Sequence, residues 1–345
     1  MSYANLVNIS CVDKTELFCR MRDFICKRNG TYDYSATGIG WTLWDSSYAA
    51  DEDNPAINDW YVIKSSGENT DEDLYFRVFW ASGYIRVHGF QAWNPTANTG
   101  GNQYSTITNA WTVADASAHF LWVYGDLDSI ICLTNLSGAT DVRSIDFGKA
   151  DKPWAYLDDE VANCSSALTV GSDVSITVDA VPAGWAVDRE VYIRTTHTDA
   201  TAAVKIEKIT IKTLVGSVIT ADLSNSYTAD SKLSDYVGYH CRSSTTLATS
   251  NVLISASGSV SSGITAVSYD GGVAGTNNDP GGYESRWGMA EVNLNGNHGF
   301  FGKMRNICRV VTGALSLYDI LEEADGTQWR YFKVYNNTHY VLKEV

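Results

Sequence analysis

The chain has 345 residues, beyond the size of about 250 to 300 at which a single hydrophobic core stops growing, so more than one domain is expected. Its 40 acids against 25 bases leave a net charge of -15, which excludes a nucleic-acid binder that works through a Lys/Arg-rich surface. No apolar run approaches the roughly 20 residues that span a bilayer, and Asp13 and Glu16 stand where a signal peptide would carry bases; a soluble protein made in a cytoplasm is expected.

The seven cysteines (Cys11, Cys19, Cys26, Cys132, Cys164, Cys241 and Cys308) are scattered and include no C-x-x-C pair, so neither a metal nor a cofactor is expected. Twenty Tyr and 11 Trp with only five Pro describe an ordered chain of residues that suit pleated, half-buried surfaces.

In chain order, the first element is a helix in "DKTELFCRMRDFICKRNG". Asp13 and Glu16 read as a capping box, Leu17, Phe18, Met21, Phe24 and Ile25 as an apolar face, and Asn29-Gly30 as a left-handed stop. At 100° per residue Cys19 and Cys26 fall together, off that face and about 10 Å apart along the axis. They cannot bridge each other but are candidate inter-subunit contacts, against the blander alternative of buried thiols.

From Gly40 onward short strands take over. "LYFRVFW" and "YIRVHGF" alternate in character around Ser82-Gly83, the pattern of a hairpin. Asp71, Glu72 and Asp73 fall in the loop before it, where a solvated turn is favoured over a calcium site. Residues 166–240 carry β-branched alternation (Val174, Ile176, Val178; Val191, Ile193; Ile209, Ile211) with strand spacing of about eight to twelve residues, as in a small five- or six-stranded barrel. The Trp-rich flanks, 1–165 and 241–345, read together as the domain into which it is inserted. After Cys241 a Ser/Thr/Gly-rich stretch and "SYDGGVAGTNNDPGGYESRWG" read as a long loop, and Tyr283 and Trp287 on it are further candidate inter-subunit contacts. The tail returns to strands, with turns at Ala324-Asp325-Gly326 and Asn336-Asn337. The expected fold is mainly β: a discontinuous β-sandwich-like domain with one N-terminal helix and an inserted small β-barrel.

Catalytic signals are sparse. The six histidines (His88, His119, His197, His240, His298 and His339) stand alone, and neither G-x-S-x-G nor a P-loop occurs. Asp158, Asp159 and Glu160, and Glu322 and Glu323, are acids adjacent in sequence and read as solvated rather than as a glycosidase pair. Exposed Trp or Tyr faces could stack on sugars, although most rings in an all-β protein fill its core.

The stretch "GWTLWDSSYAADEDNPAINDWYVIKSSGENTDEDLYFRVFWASGYIRVHGFQAWNPTANTGGN" resembles the N-terminal part of virion structural proteins of tailed bacteriophages. The likeness lies in Trp60 to Glu68, in Asp73 to Arg77, and in Gly89 to Asn94 followed by Asn98-Thr99-Gly100. "VYIR", "KIEKITI" and "ITADL" are similar to a small barrel inserted in the same proteins, and "DGTQWRYFKVYNNTHYVLKE" to their closing hairpins. These are packing motifs over roughly two thirds of the chain, so the likeness implies a particle rather than a place within it, and it carries over no catalytic residue.

It implies a non-enzymatic component of the tail, neck or baseplate, assembled in the host cytoplasm into the virion as a multi-copy ring or collar. Its partners would be other copies of itself and neighbouring virion proteins. A receptor-binding adhesin for host-surface glycan and a capsid decoration protein are the alternatives.

Overall fold

A computed structural model describes residues 3–48, 54–67, 73–81, 84–106, 111–112, 118–136, 142–149, 161–194, 206–229, 231–234, 239–243, 251–253, 288–293, 300–309, 315–323, 325–334 and 338–345. The protein is mainly β. Among these residues lie one helix, Lys14–Ile25, and five sheets whose strands all pair antiparallel.

Three of the sheets stack. The central one runs Ala4–Cys11, His119–Gly125, Ser129–Leu136, Arg143–Lys149, Tyr239–Ser243 and Asn251–Leu253. The front sheet runs Thr42–Ser46, Trp60–Ser65, Leu74–Ala81, Tyr84–Asn94 and Thr99–Thr106, with Trp111–Thr112 also pairing Tyr84–Asn94. The rear sheet runs Gly288–Asn293, Phe300–Arg309, Thr338–Lys343, Gln328–Val334 and Ile320–Glu322.

The stacking explains why the central strands read as unbroken apolar runs. In "HFLWVYG", Leu121 and Val123 enter the core shared with the front sheet, while Trp122 and Tyr124 enter a second core with Phe332, Tyr340 and Leu342 of the rear sheet. Ile130 and Cys132 against Ile131 and Leu133 repeat that split on the next strand. A strand covered on both faces needs apolar residues at every position. Polar ties fix the layers: Trp41 Nε1 donates to the Asp126 carbonyl at 2.8 Å, and Ser65 Oγ to that of Leu127 at 2.6 Å. At the back, Tyr3 OH donates to the Lys343 carbonyl at 2.8 Å, and Tyr124 OH to Glu344 Oε1 at 3.1 Å.

The helix is enclosed by the central and front sheets. Asp13 Oδ1 accepts from Glu16 N at 2.9 Å, and Glu16 Oε2 reaches back to the N–H of Val12 at 2.8 Å, a reciprocal cap of the kind expected from the sequence. The stop falls earlier than Asn29-Gly30. The helix ends at Ile25, Lys27 takes the left-handed conformation with φ 52°, and the N–H groups of Ile39, Gly40 and Trp41 bond to the carbonyls of Phe24 and Ile25. Local turn chemistry was legible here, but the returning chain satisfies the final carbonyls and so sets the end.

Burial extends around the helix rather than along one stripe. Besides the apolar residues, Lys14, Cys19, Arg22 and Asp23 are 0% exposed. Arg22 Nε donates to Asp23 Oδ1 at 2.7 Å and Arg28 Nη1 lies 3.3 Å from the same oxygen, while Lys14 Nζ donates to the Ala81 carbonyl at 3.0 Å. Burial, the largest single influence, would lower the Arg22 pKa; the hydrogen bond and charge of Asp23 together with Tyr48 outweigh it, and the net shift is upward.

Between Arg143–Lys149 and its partner Tyr239–Ser243 the chain builds a smaller unit. One of its sheets runs Val161–Asn163, Lys232–Ser234, Glu190–Arg194 and Ile206–Thr210; the other runs Gly171–Thr177, Val218–Leu223 and Thr213–Val215. Both cover one core containing Ile176, Trp185, Val191, Ile193, Ile219 and Leu233. Single bridges at Cys164/Val178 and Leu168/Tyr227 link further segments of the unit, and Tyr192 packs against the core of the main body. Of the stretch expected to be a long loop after Cys241, Asn251–Leu253 and Gly288–Asn293 are instead strands, paired into the central and rear sheets.

Candidate interaction surface

The front sheet turns Tyr61, Ile63, Phe76, Val78, Ile85 and Val87 inward. Alternation then forces their neighbours outward, and the sequence loads these positions with rings and cations. Ala81 faces Tyr84, so Phe79 faces Arg86, Arg77 faces His88 and Tyr75 faces Phe90. The next strand sets Trp60 beside Phe79, Val62 beside Arg77 and Lys64 beside Tyr75. The outer face is therefore a grid in which aromatic and cationic side chains interleave.

At one end the cations have acids. Lys64 Nζ lies 3.1 Å from Asp73 Oδ2 and 4.4 Å above the Trp44 ring. Burial would raise the Asp73 pKa, but the Lys64 and Lys232 charges together with hydrogen bonds from Lys64 and Ser66 lower it. Trp93 Nε1 donates to Asp45 Oδ2 at 2.6 Å, and burial holds that carboxyl above its ordinary value. Trp93 packs edge-on to Trp60 and Phe90, with centroids 5.3 and 5.2 Å away. Gly100 lies so close over the Phe90 ring that any side chain there would overlap it.

In the middle of the face no acid among the described residues pairs with the cations. The Arg77 guanidinium lies 5.6 to 5.8 Å from the ring centroids of Phe79, Phe90 and Trp93, and Nη2 lies 2.9 Å from His88 Nδ1. Burial holds the Arg77 pKa below its usual value. Burial first, then the charges of Arg77 and Arg86, push the His88 pKa down to about 4. The imidazole is thus neutral at ordinary pH. Since Nδ1 accepts from the guanidinium, the proton sits on Nε2. That N–H and the Nε–H groups of Arg77 and Arg86 are buried without hydrogen-bond partners. The chemistry of the face is that of donors exceeding acceptors.

The residues singled out from the sequence fall elsewhere. Cys19 is 0% exposed inside the enclosed helix, which corrects its assignment to an inter-subunit contact; Cys26 is partly buried against the main core. The wheel placed both off the apolar stripe, but the helix is covered on that side as well. Tyr283, Trp287, Asp71, Glu72, Asp158, Asp159 and Glu160 lie outside the described residues. Glu322 and Glu323 are exposed, and Glu322 accepts from Gln328 Nε2 at 3.0 Å. Trp41, Trp93 and Trp122 are fully buried and cannot stack on sugars, whereas Trp44 and Trp60 are half-buried on the front face.

Among the described residues no group of three or more His, Cys, Asp or Glu is placed to hold a metal ion, and no helix is long and apolar enough to cross a membrane. Arg77, Arg86 and His88 are what the sequence reading missed. Their signal was present in the two-residue turn, which fixes the register of the two quoted strands and so gathers their charges on one face. Compared with known protein families and curated proteins, the chain matches no family model and no curated sequence.

Proposed function

We propose that this chain is a non-enzymatic structural component of a tailed-phage particle, present in several copies as a ring or collar of the tail, neck or baseplate. The observation that carries the reading is the composition of the front face. The stretch resembling phage virion proteins supplies that sheet, and its outer side interleaves Trp60, Phe79, Arg77 and Arg86. Aromatic rings and Arg are the residues enriched at the centres of protein–protein interfaces.

The adhesin reading is less well supported by the same face. A hydroxyl-rich glycan needs acceptors as well as donors, and the central polar groups here are donors. Immunogold labelling of intact particles with antibody to this chain tests the proposal. Gold confined to the tail, neck or baseplate is the expected result; gold over the whole capsid favours a decoration protein, and unlabelled particles remove the virion reading.

A further inference from the structure

We propose that the outer face of the front sheet, centred on Arg77, Phe79 and Arg86, is the docking surface for a second copy of this chain, which supplies carboxylates to the two guanidinium groups. The inference deepens the multi-copy assembly proposed above and rests on it. It names the face through which copies would meet.

Three observations carry it. Arg77 and Arg86 are neighbours on adjacent strands, since Arg77 is opposite His88 and Arg86 opposite Phe79, and both charges depress the His88 pKa. No carboxylate of the described residues pairs with either, although Lys64 in the same grid has Asp73. Rings flank them: Phe79 stacks on His88 at 6.4 Å between centroids with planes 29° apart, and Trp60 is the cross-strand neighbour of Phe79. The Nε–H groups are buried, but both guanidinium groups are only half-buried and set among rings, which suits their terminal N–H groups to a contact with a carboxylate.

Charge selects the occupant. The whole chain carries an excess of 15 negative charges, so another copy is rich in the groups this cationic patch lacks. A nucleic acid would meet the repulsion of the whole acidic chain, and a neutral sugar would leave the guanidinium charges unmatched.

Sedimentation equilibrium of the purified full chain at low and high salt tests the proposal. Concentration-dependent association that weakens with salt is expected. Arg86→Glu and Phe79→Ser should each weaken it about thirtyfold or more, the loss typical of a central interface residue, with circular dichroism and the melting temperature reporting that each variant is folded. Arg86→Gln, a smaller change, serves where charge reversal prevents folding and should still weaken association about tenfold. Association unchanged in the folded variants, or a wild-type chain monomeric at its highest attainable concentration, overturns the proposal. If particles carry the chain in several copies while the variants associate normally, this face alone is refuted. If particles lack it while the variants dissociate, the virion reading falls and the face stands.

Discussion

Arg77 Nη2 and His88 Nδ1 lie 2.9 Å apart across two adjacent strands, so a guanidinium donates to a neutral imidazole where a carboxylate partner would ordinarily be found. This pairing ties the electrostatics of the front face to pH. His88 has its pKa near 4 in the folded protein, below the ordinary value near 6.5 of the unfolded chain. Above the unfolded value neither state is protonated at this site. As pH falls from about 6.5 through 4, the unfolded chain takes up a proton that the folded one refuses, and stability drops by up to about 3 kcal/mol. His88→Gln should flatten that part of the stability-versus-pH curve measured by urea denaturation. A variant curve parallel to wild type between pH 6.5 and 4 would contradict the assignment.

The enclosed helix makes a second prediction. Arg22 and Asp23 form an ion pair with side chains 1% and 0% exposed, whereas Arg20 and Glu16 form an i,i+4 pair at the helix surface, 23% and 13% exposed. Removing Arg22 takes the nearer of two cations from a fully buried carboxylate, and since Arg28 still faces Asp23 at 3.3 Å, Arg22→Ala should cost about 3 kcal/mol, the lower end of the range for a broken buried pair. Arg20→Ala should cost no more than about 1 kcal/mol. Equal losses in chemical denaturation would show that the helix is not enclosed.

A third prediction concerns the turn joining two central strands. Asp126 Oδ1 accepts from the N–H groups of Asp128 and Ser129, both at 2.9 Å, and Gly148 passes close against the Asp128 carbonyl with φ 135°. Gly148→Ala would put a methyl group against that carbonyl in a conformation L-residues rarely adopt. A loss of about 2 kcal/mol or more is expected from thermal denaturation.

Thiol chemistry makes the fourth. Burial raises the pKa of Cys11 to about 12 and that of Cys132 well above the ordinary thiol value, and Cys19 is 0% exposed. These three should resist alkylation by iodoacetamide at pH 8 in the native protein and react on unfolding. Rapid native labelling of Cys19 would restore it as a surface residue.

Local signals were legible in the sequence, whereas those made by the stacking of layers were not. The helix cap at Asp13 and Glu16, the hairpin around Ser82-Gly83 and the β-branched alternation near Val191 and Ile193 were readable because each depends on a few neighbouring residues. Enclosure of the helix was not readable, since Cys19 and Arg22 are buried by strands distant in sequence. The third layer was hidden for the same reason: "HFLWVYG" announces a strand covered on both faces but not that Phe332 and Tyr340 do the covering. The front face lay between these cases. Its rings and cations were in plain view, and only the register across the turn showed that Arg77 meets His88.

Quantitative mass spectrometry of purified phage particles, comparing this chain with the major capsid protein, addresses the central claim most directly. A copy number at a low multiple set by ring symmetry is the predicted result. Absence of the chain from the particles would contradict the account.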